Sequence, residues 1–273
     1  MIEKKLASCE EMYGVRVLFW SFRGSLDIDI SRKNSDLDLM FVFKNRMGKK
    51  IAAIHDIVGY GFDFWGWDIE DAIKTIELNN TSFYESGAAY KNIPLTKEHA
   101  RGGLTYYSGI FCYLDNNKSG SNLKEISELE EKLANVMEKR VLISHIVAGV
   151  GNRLARLEIE EGMSACDYLY TIWRVLLAEH VYRDGMPGES EIDFLMPLYM
   201  DKENMETVNR LRRIYKDSIS KHTQFFKIEN LNQFIRDKYT YLEKVSEEIK
   251  PKHQEDLKAR IHEIRECVDK IEI

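Results

Sequence analysis

The chain has 273 residues, of which 44% are hydrophobic and 31% charged, and its formal net charge is −6 at pH 7. That apolar fraction can offset the entropy of ordering the chain, so the composition excludes an intrinsically disordered protein. The low proline count, four, excludes a Pro-rich linker, and the acidic balance argues weakly against a protein that coats nucleic acid.

The first part of the chain alternates between helix and strand patterns. A short amphipathic helix is predicted to end at Gly14 and to lead into a strand of β-branched and aromatic residues over 15–22. The run 37–43 is almost continuously apolar, which predicts a strand buried on both faces. A third strand is predicted over 57–67, although its glycines weaken the pattern, and the apolar spacing over 69–78 predicts a helix.

The rest of the chain has a helical pattern. A Ser/Gly-rich loop at 118–122 precedes apolar residues that recur three and four positions apart over 123–141. Further helices are predicted over 167–185, 205–222, 230–249 and 255–273. We therefore expect an α+β protein, with a mixed sheet and flanking helices in residues 1–115 and an all-helical domain in residues 116–273.

The cysteines and the apolar runs bear on the compartment. The four cysteines are too scattered for a metal knuckle or a C-x-x-C redox pair; they are Cys9, Cys112, Cys166 and Cys267. The first residues lack the apolar core of a signal peptide, no apolar run approaches about 18 residues, and the histidines show no ligand spacing. We expect a cytoplasmic protein with reduced thiols and no membrane partner.

The residues with the clearest chemical implication follow the first two predicted strands. Gly24 lacks a Cβ, which lets the backbone approach a bulky anion, and Ser25 offers a hydroxyl at a helix start that favours phosphate. Asp36 and Asp38 are two apart on a strand, so their side chains leave the same face. Adjacent carboxylates suit Mg²⁺, which binds a few carboxylates, waters and substrate phosphates. Two-metal phosphoryl or nucleotidyl transfer needs a third carboxylate, and Asp63 in the third predicted strand supplies one.

Two strings in the sequence resemble a known superfamily. A Gly-Ser pair at 24–25, nine further residues and then S-D-L-D at 35–38 resemble the signature of the DNA polymerase β nucleotidyltransferase superfamily. The string DFWGWDIEDAIKTIEL (63–78) is similar to a D-x-x-G-W-D-x-x-K/D-A-L pattern of predicted nucleotidyltransferases in its RNA-repair-associated branch. The clear similarity covers residues 15–90, and a looser one covers 140–197.

The resemblance implies a nucleotidyltransferase-type mixed sheet and a specific reaction. That reaction is the Mg²⁺-dependent transfer of a nucleoside monophosphate from a nucleoside triphosphate to an acceptor hydroxyl, with two ions involved. The implied catalytic residues, which also bind the metal, are Asp36, Asp38 and Asp63. The implied nucleotide-binding residues are Gly24 and Ser25 at the β- and γ-phosphates, together with Ser35 and Arg174. The acceptor stays open between an RNA end, a protein and a small molecule.

The chain departs from the family pattern at two positions. Asp29 stands where the family usually has a glycine or a small residue, and Asp167 precedes Tyr168 in a region where a lysine is often found. These differences leave a second hypothesis open. It is a catalytically weak or inactive module that has the same fold and binds a nucleotide or a partner.

Other side chains near these motifs have two interpretations each. Asp68 directly precedes the predicted helix, so we interpret it as an N-cap rather than a ligand. Trp65 and Trp67 can stack on a base or pack against the sheet.

Basic residues could contact the substrate in two places. Three residues flanking the expected phosphate site either neutralise pyrophosphate or are simply exposed; they are Arg23, Arg32 and Lys33. The run RLRRIYKDSISKH (210–222) either grips an RNA backbone or forms a solvated helix face.

Overall fold

The structure is a computed structural model that describes most, but not all, of the chain. The described residues are 2–23, 30, 32, 37–46, 50–58, 62–78, 98–101, 104–107, 110–112, 128–129, 132–133, 136, 138–160, 162–185, 192–218, 225–250 and 254–271. They form an N-terminal mixed sheet with helices and a C-terminal region that is largely helical.

The N-terminal elements begin with a helix that leads into a strand, as the sequence predicts, but helices and strands do not alternate after that. In chain order they are α1 (Ile2–Tyr13), β1 (Val15–Arg23), β2 (Leu37–Asn45), β3 (Ala53–Val58), β4 (Phe62–Asp68), α2 (Ile69–Glu77), β5 (Glu98–Arg101), β6 (Leu104–Tyr107) and β7 (Ile110–Cys112). Gly14 follows α1 with φ 64°, a left-handed conformation that glycine adopts without a Cβ penalty.

Five of these strands form one sheet in the order β3-β4-β2-β1-β7. Strands β2 and β4 are parallel, and the other neighbouring strands are antiparallel. The prediction of one strand over 57–67 is wrong, because this region contributes to two antiparallel strands, β3 and β4. Glycines at 59 and 61 separate these strands in the sequence, and glycine favours chain reversals over continuous strands.

Strand β2 is the central strand of the five-stranded sheet, and it is buried as its apolar run predicts. Residues 39–43 are all at most 1% exposed, so side chains on both faces of this strand are buried. Helix α2 buries the apolar face predicted for it, namely Ile69, Ala72, Ile73 and Ile76.

The C-terminal region is built mainly from helices. In chain order its elements are α3 (Lys139–Glu160), β8 (Met163–Ser164), α4 (Ala165–Arg183), α5 (Ile192–Tyr199), α6 (Lys202–Asp217), β9 (Phe225–Phe226), α7 (Glu229–Glu248) and α8 (Gln254–Lys270). The all-helical prediction is wrong in one detail, because β8 and β9 pair as two short antiparallel strands. None of the described helices is long and apolar enough to cross a membrane.

The chain divides into two compact units. The first contains Met1–Gly24, Asp36–Met137 and Lys252–Ile273, and the second contains Ser25–Ser35 and Glu138–Pro251. In this division the last helix groups with the sheet. The predicted boundary itself, at 115/116, lies outside the described residues and stays a prediction.

Contacts within the first unit explain the position of α8. Lys44 Nζ on β2 donates hydrogen bonds to the carbonyl oxygens of Val268 and Ile271, at 2.7 and 2.9 Å. Arg265 Nη2 lies 2.8 Å from Glu77 Oε1 on α2. These partners are about two hundred residues apart in sequence, so local patterns cannot reveal the pairing.

Candidate functional site

The parallel pairing of β2 and β4 brings together two of the three predicted carboxylates. Asp38 on β2 is the direct register partner of Asp63 on β4. Register partners on neighbouring strands are about 4.8 Å apart and leave the same face of the sheet. Asp38 is half-buried, and the Asp63 side chain is 42% exposed. On the other side of β2, the register partner of Asp38 is Arg23 of β1.

The local sequence explains why these aspartates mark the start of their strands. The apolar run of β2 begins immediately after Asp38 and is buried from Leu39 onwards. On β4, Gly66 lies against the buried ring of Phe41, which occupies the space that a Cβ would fill. The absence of a side chain at Gly66 lets β4 pack closely against β2 at a position three residues after Asp63.

Asp68 at the end of β4 is an N-cap, as predicted. Its Oδ1 accepts a hydrogen bond from the backbone N–H of Glu70 at 3.1 Å, and its Oδ2 accepts one from Asn45 Nδ2 at 2.6 Å. Burial raises the pKa of the Asp68 carboxyl, and these hydrogen bonds act in the opposite direction. Asp68 therefore starts α2 and ties it to β2.

His55 on β3 is a site residue that the sequence interpretation missed. Its Nε2 lies 2.8 Å from Oδ1 of Asp63, and its ring centroid lies 4.6 Å from that of Trp65. A single predicted strand over 57–67 does not include His55. Two antiparallel strands separated in sequence by the glycines at 59 and 61 pair Ile57 with Asp63 and His55 with Trp65, which makes His55 the diagonal neighbour of Asp63.

Asp36, Gly24, Ser25 and Ser35 lie outside the described residues and stay predictions. Asp36 immediately precedes β2 in the sequence.

The donor set that is described fits magnesium in its chemistry. Asp38 and Asp63 offer hard carboxylate oxygens from neighbouring strand positions, and Mg²⁺ in proteins is commonly held by one or two carboxylates, with waters and phosphates completing the shell. Within the described part of the chain, no group of three or more His, Cys, Asp or Glu side chains could hold a metal ion. A third carboxylate would therefore have to come from outside that part, as predicted for Asp36.

Arg174 lies on α4, inside the second unit. It is half-buried, and its Nη1 would be 3.3 Å from a Cβ added at Gly149 on α3. The neighbouring Trp173 is buried at 5% exposure. The guanidinium is therefore seated against the α3 backbone, and its role towards a triphosphate stays a prediction.

Asp167 belongs to a helix-capping network. It lies in the region where the resemblance leads one to expect a lysine. Ser164 Oγ accepts a hydrogen bond from the Asp167 backbone N–H at 3.1 Å and donates one to Asp167 Oδ2 at 2.7 Å. Arg153 on α3 forms an ion pair with Oδ1 of the same carboxylate. This network ties the start of α4 to α3.

Of the two interpretations of Arg32, a simply exposed side chain is wrong, and a role in neutralising pyrophosphate stays a prediction. Arg32 is only 6% exposed, and its guanidinium carbon lies 5.3 Å from the ring centroid of Tyr215, within the second unit. Tyr215 is also buried, which raises the pKa of its hydroxyl, and that hydroxyl donates to Cys166 Sγ at 3.3 Å. Arg32 therefore packs inside the helical unit. The side chain of Arg23 and the whole of Lys33 lie outside the described residues.

In the described part of the basic run, residues 210–218, the cations lie in two environments, and Lys221 lies outside the described residues. Arg212 is 8% exposed and pairs with Asp193 of α5, at 3.1 Å between Nη2 and Oδ2. Three other cations of the run are exposed on α6, namely Arg210, Arg213 and Lys216. A buried, paired arginine holds helices together, so residues 210–218 do not form one continuous basic surface.

No protein-family model matches the chain, and no curated protein matches it at a significant level.

Proposed function

We propose that this protein is a Mg²⁺-dependent nucleotidyltransferase. The observation that supports it best is the register pairing of Asp38 and Asp63 on parallel strands of a mixed sheet. The sequence resemblance selects these same two residues independently of the register. The proposed fold is accordingly the nucleotidyltransferase-type sheet, joined to a helical region.

In the proposed reaction, an acceptor hydroxyl oxygen attacks the α-phosphorus of a nucleoside triphosphate. A new P–O bond forms, the bond between the α-phosphorus and the bridging oxygen breaks, and pyrophosphate and a proton leave. Bound magnesium would supply charge neutralisation at the phosphates and at the attacking oxygen. Asp38 and Asp63 would hold the cation, with Asp36 as the third ligand. Gly24 and Ser25 would bind the leaving phosphates through backbone N–H groups and a hydroxyl.

A second candidate is a module that binds nucleotide or a partner with little or no turnover. It is favoured by the network around Asp167, which assigns a structural role to a region where the family often carries a lysine. The two candidates differ in metal dependence and turnover. Nucleotide binding that stabilises the fold without any transfer would support the module.

The proposal is tested with α-labelled nucleoside triphosphates, Mg²⁺ and separate pools of RNA, protein and metabolites. We expect one pool to take up label, and Asp38→Asn to lower that transfer by about a hundredfold or more, because a metal ion contributes several kcal/mol to such reactions.

The matched control is Asp237→Asn, which removes an exposed carboxylate from α7 that accepts a hydrogen bond from Gln233 Nε2 at 2.8 Å. This control should transfer label at the wild-type rate. Transfer by folded Asp38→Asn at the wild-type rate would refute the proposed function.

A further inference from the structure

The His55–Asp63 pair is an exposed contact between neighbouring antiparallel strands. His55 is the register partner of Trp65, which makes it the diagonal neighbour of Asp63. The imidazole reaches across this diagonal, with 2.8 Å between Nε2 and Oδ1. Both side chains are well exposed, at 43% for His55 and 42% for Asp63. A polar pair at this exposure contributes little to the stability of the fold, so holding the sheet together does not account for it.

The His55 ring is held from one side by Trp65. The two ring centroids are 4.6 Å apart, and the planes are tilted by 41°. This contact restricts the orientation of the imidazole, and the hydrogen bond fixes it further. Trp65 and Asp63 both leave the same face of β4, since they are two residues apart. Asp63, His55 and Trp65 therefore place a carboxylate, an imidazole and an indole next to one another beside Asp38.

We propose that His55 is a positioning residue for the Asp63 carboxylate. In this arrangement its Nε2–H donates to Oδ1, which requires the tautomer protonated at Nε2. The bond would restrict the rotation of the carboxylate and leave its second oxygen available to a cation held by Asp38 and Asp63. Metal-bound carboxylates are commonly oriented by such hydrogen bonds, and losing one typically weakens metal binding by about 10- to 100-fold. This inference rests on the proposed metal site at Asp38 and Asp63.

Two variants separate the hydrogen bond from the ring contact. His55→Gln places an amide N–H near the position of Nε2 and keeps a donor for Asp63 without the aromatic ring. His55→Phe keeps a ring against Trp65 and removes the donor. Because His55 is exposed, both variants should fold, which thermal unfolding of the full chain checks.

The readout is Mn²⁺ affinity by titration calorimetry of the full chain, with a non-hydrolysable nucleoside triphosphate present. We expect His55→Phe to weaken Mn²⁺ binding about 10- to 100-fold and His55→Gln to stay within a few-fold of the wild type. In an Asp63→Asn background, His55→Phe should have no further effect on the affinity, because the group it positions is gone.

The outcomes distinguish this inference from the proposed function. Wild-type Mn²⁺ affinity in His55→Phe, or equal losses in His55→Phe and His55→Gln, overturns the positioning role and leaves the transferase proposal standing. Mn²⁺ binding that depends on Asp38 and His55 without any nucleotidyl transfer overturns the proposed reaction alone. No Mn²⁺ binding to the wild-type chain overturns both.

Discussion

Replacing Gly66 with alanine should destabilise the sheet beneath the candidate site. A Cβ at this position would lie 2.5 Å from Cε2 and 2.9 Å from Cε1 of Phe41, and closer still to Cζ. Carbon atoms in favourable contact are about 3.5–4.0 Å apart, so the ring would have to move by about 1 Å. Phe41 is 0% exposed and has no solvent-facing space to move into. Overpacking of this kind costs about 1–3 kcal/mol.

The assay is urea unfolding of the full chain followed by tryptophan fluorescence, because Trp65 and Trp67 flank Gly66 on β4. The midpoint for Gly66→Ala should fall. The double variant with Phe41→Leu should recover part of the loss, since the smaller side chain leaves room for the methyl group.

A matched control is Gly149→Ala, within helix α3. There the added Cβ meets only the flexible end of Arg174, at 3.3 Å, and alanine is favoured over glycine in helices by up to about 1 kcal/mol. Its midpoint should stay constant or rise. If Gly66→Ala unfolds at the wild-type midpoint, the argument from the Phe41 contact is refuted.

Three further predictions concern stability. Asp68→Ala should cost about 1–2 kcal/mol in urea unfolding, because α2 loses its N-cap. Burial lowers the pKa of His180, so the folded state binds fewer protons than the unfolded state, and the melting temperature should fall as the pH drops below about 6.5; His180→Gln should reduce that fall. Lys238→Met should cost up to about 3 kcal/mol, because it removes one of two cations paired with Glu179, which is 2% exposed. The control Lys202→Met, at an 87% exposed side chain, should change stability by at most about 0.5 kcal/mol.

A different result would contradict each of these three predictions. An unchanged midpoint for Asp68→Ala would contradict the capping role. A His180→Gln variant with the same pH dependence as the wild type would assign the acid sensitivity to other groups. Equal effects of Lys238→Met and Lys202→Met would show that burial of the Glu179 partner does not matter.

Local sequence determines several elements of this protein without reference to the rest of the chain. Three features depend only on residues that are close together in the sequence. They are the apolar run of β2, the spacing of apolar residues on α2 and the N-cap at Asp68. Their boundaries in the structure agree with the prediction to within about two residues. Such features are predictable because propensity, burial pattern and capping all act over short separations.

Other features depend on contacts between segments that are distant in the sequence, and local sequence patterns do not predict those contacts. Local sequence leaves Arg32 open between a pyrophosphate ligand and an exposed side chain, and it does not show that Arg32 packs over Tyr215. His55 fell outside the predicted strand, and it bonds to Asp63 through the β3–β4 pairing. Helix α8 carries no local signal that its C-terminal carbonyls accept from Lys44.

The candidate site divides in the same way. The sequence by itself selected Asp38 and Asp63, since a carboxylate at the start of a buried strand and a D-x-x-G-W-D string are visible in the order of residues. That they are side by side was decided by the parallel register of β2 and β4. Register depends on the pairing of buried faces between distant segments, because a slip of one residue would turn every side chain of a strand to the other face. The tertiary structure also places His55 within hydrogen-bond distance of Asp63, so substitution of His55 can test how the Asp63 carboxylate is oriented.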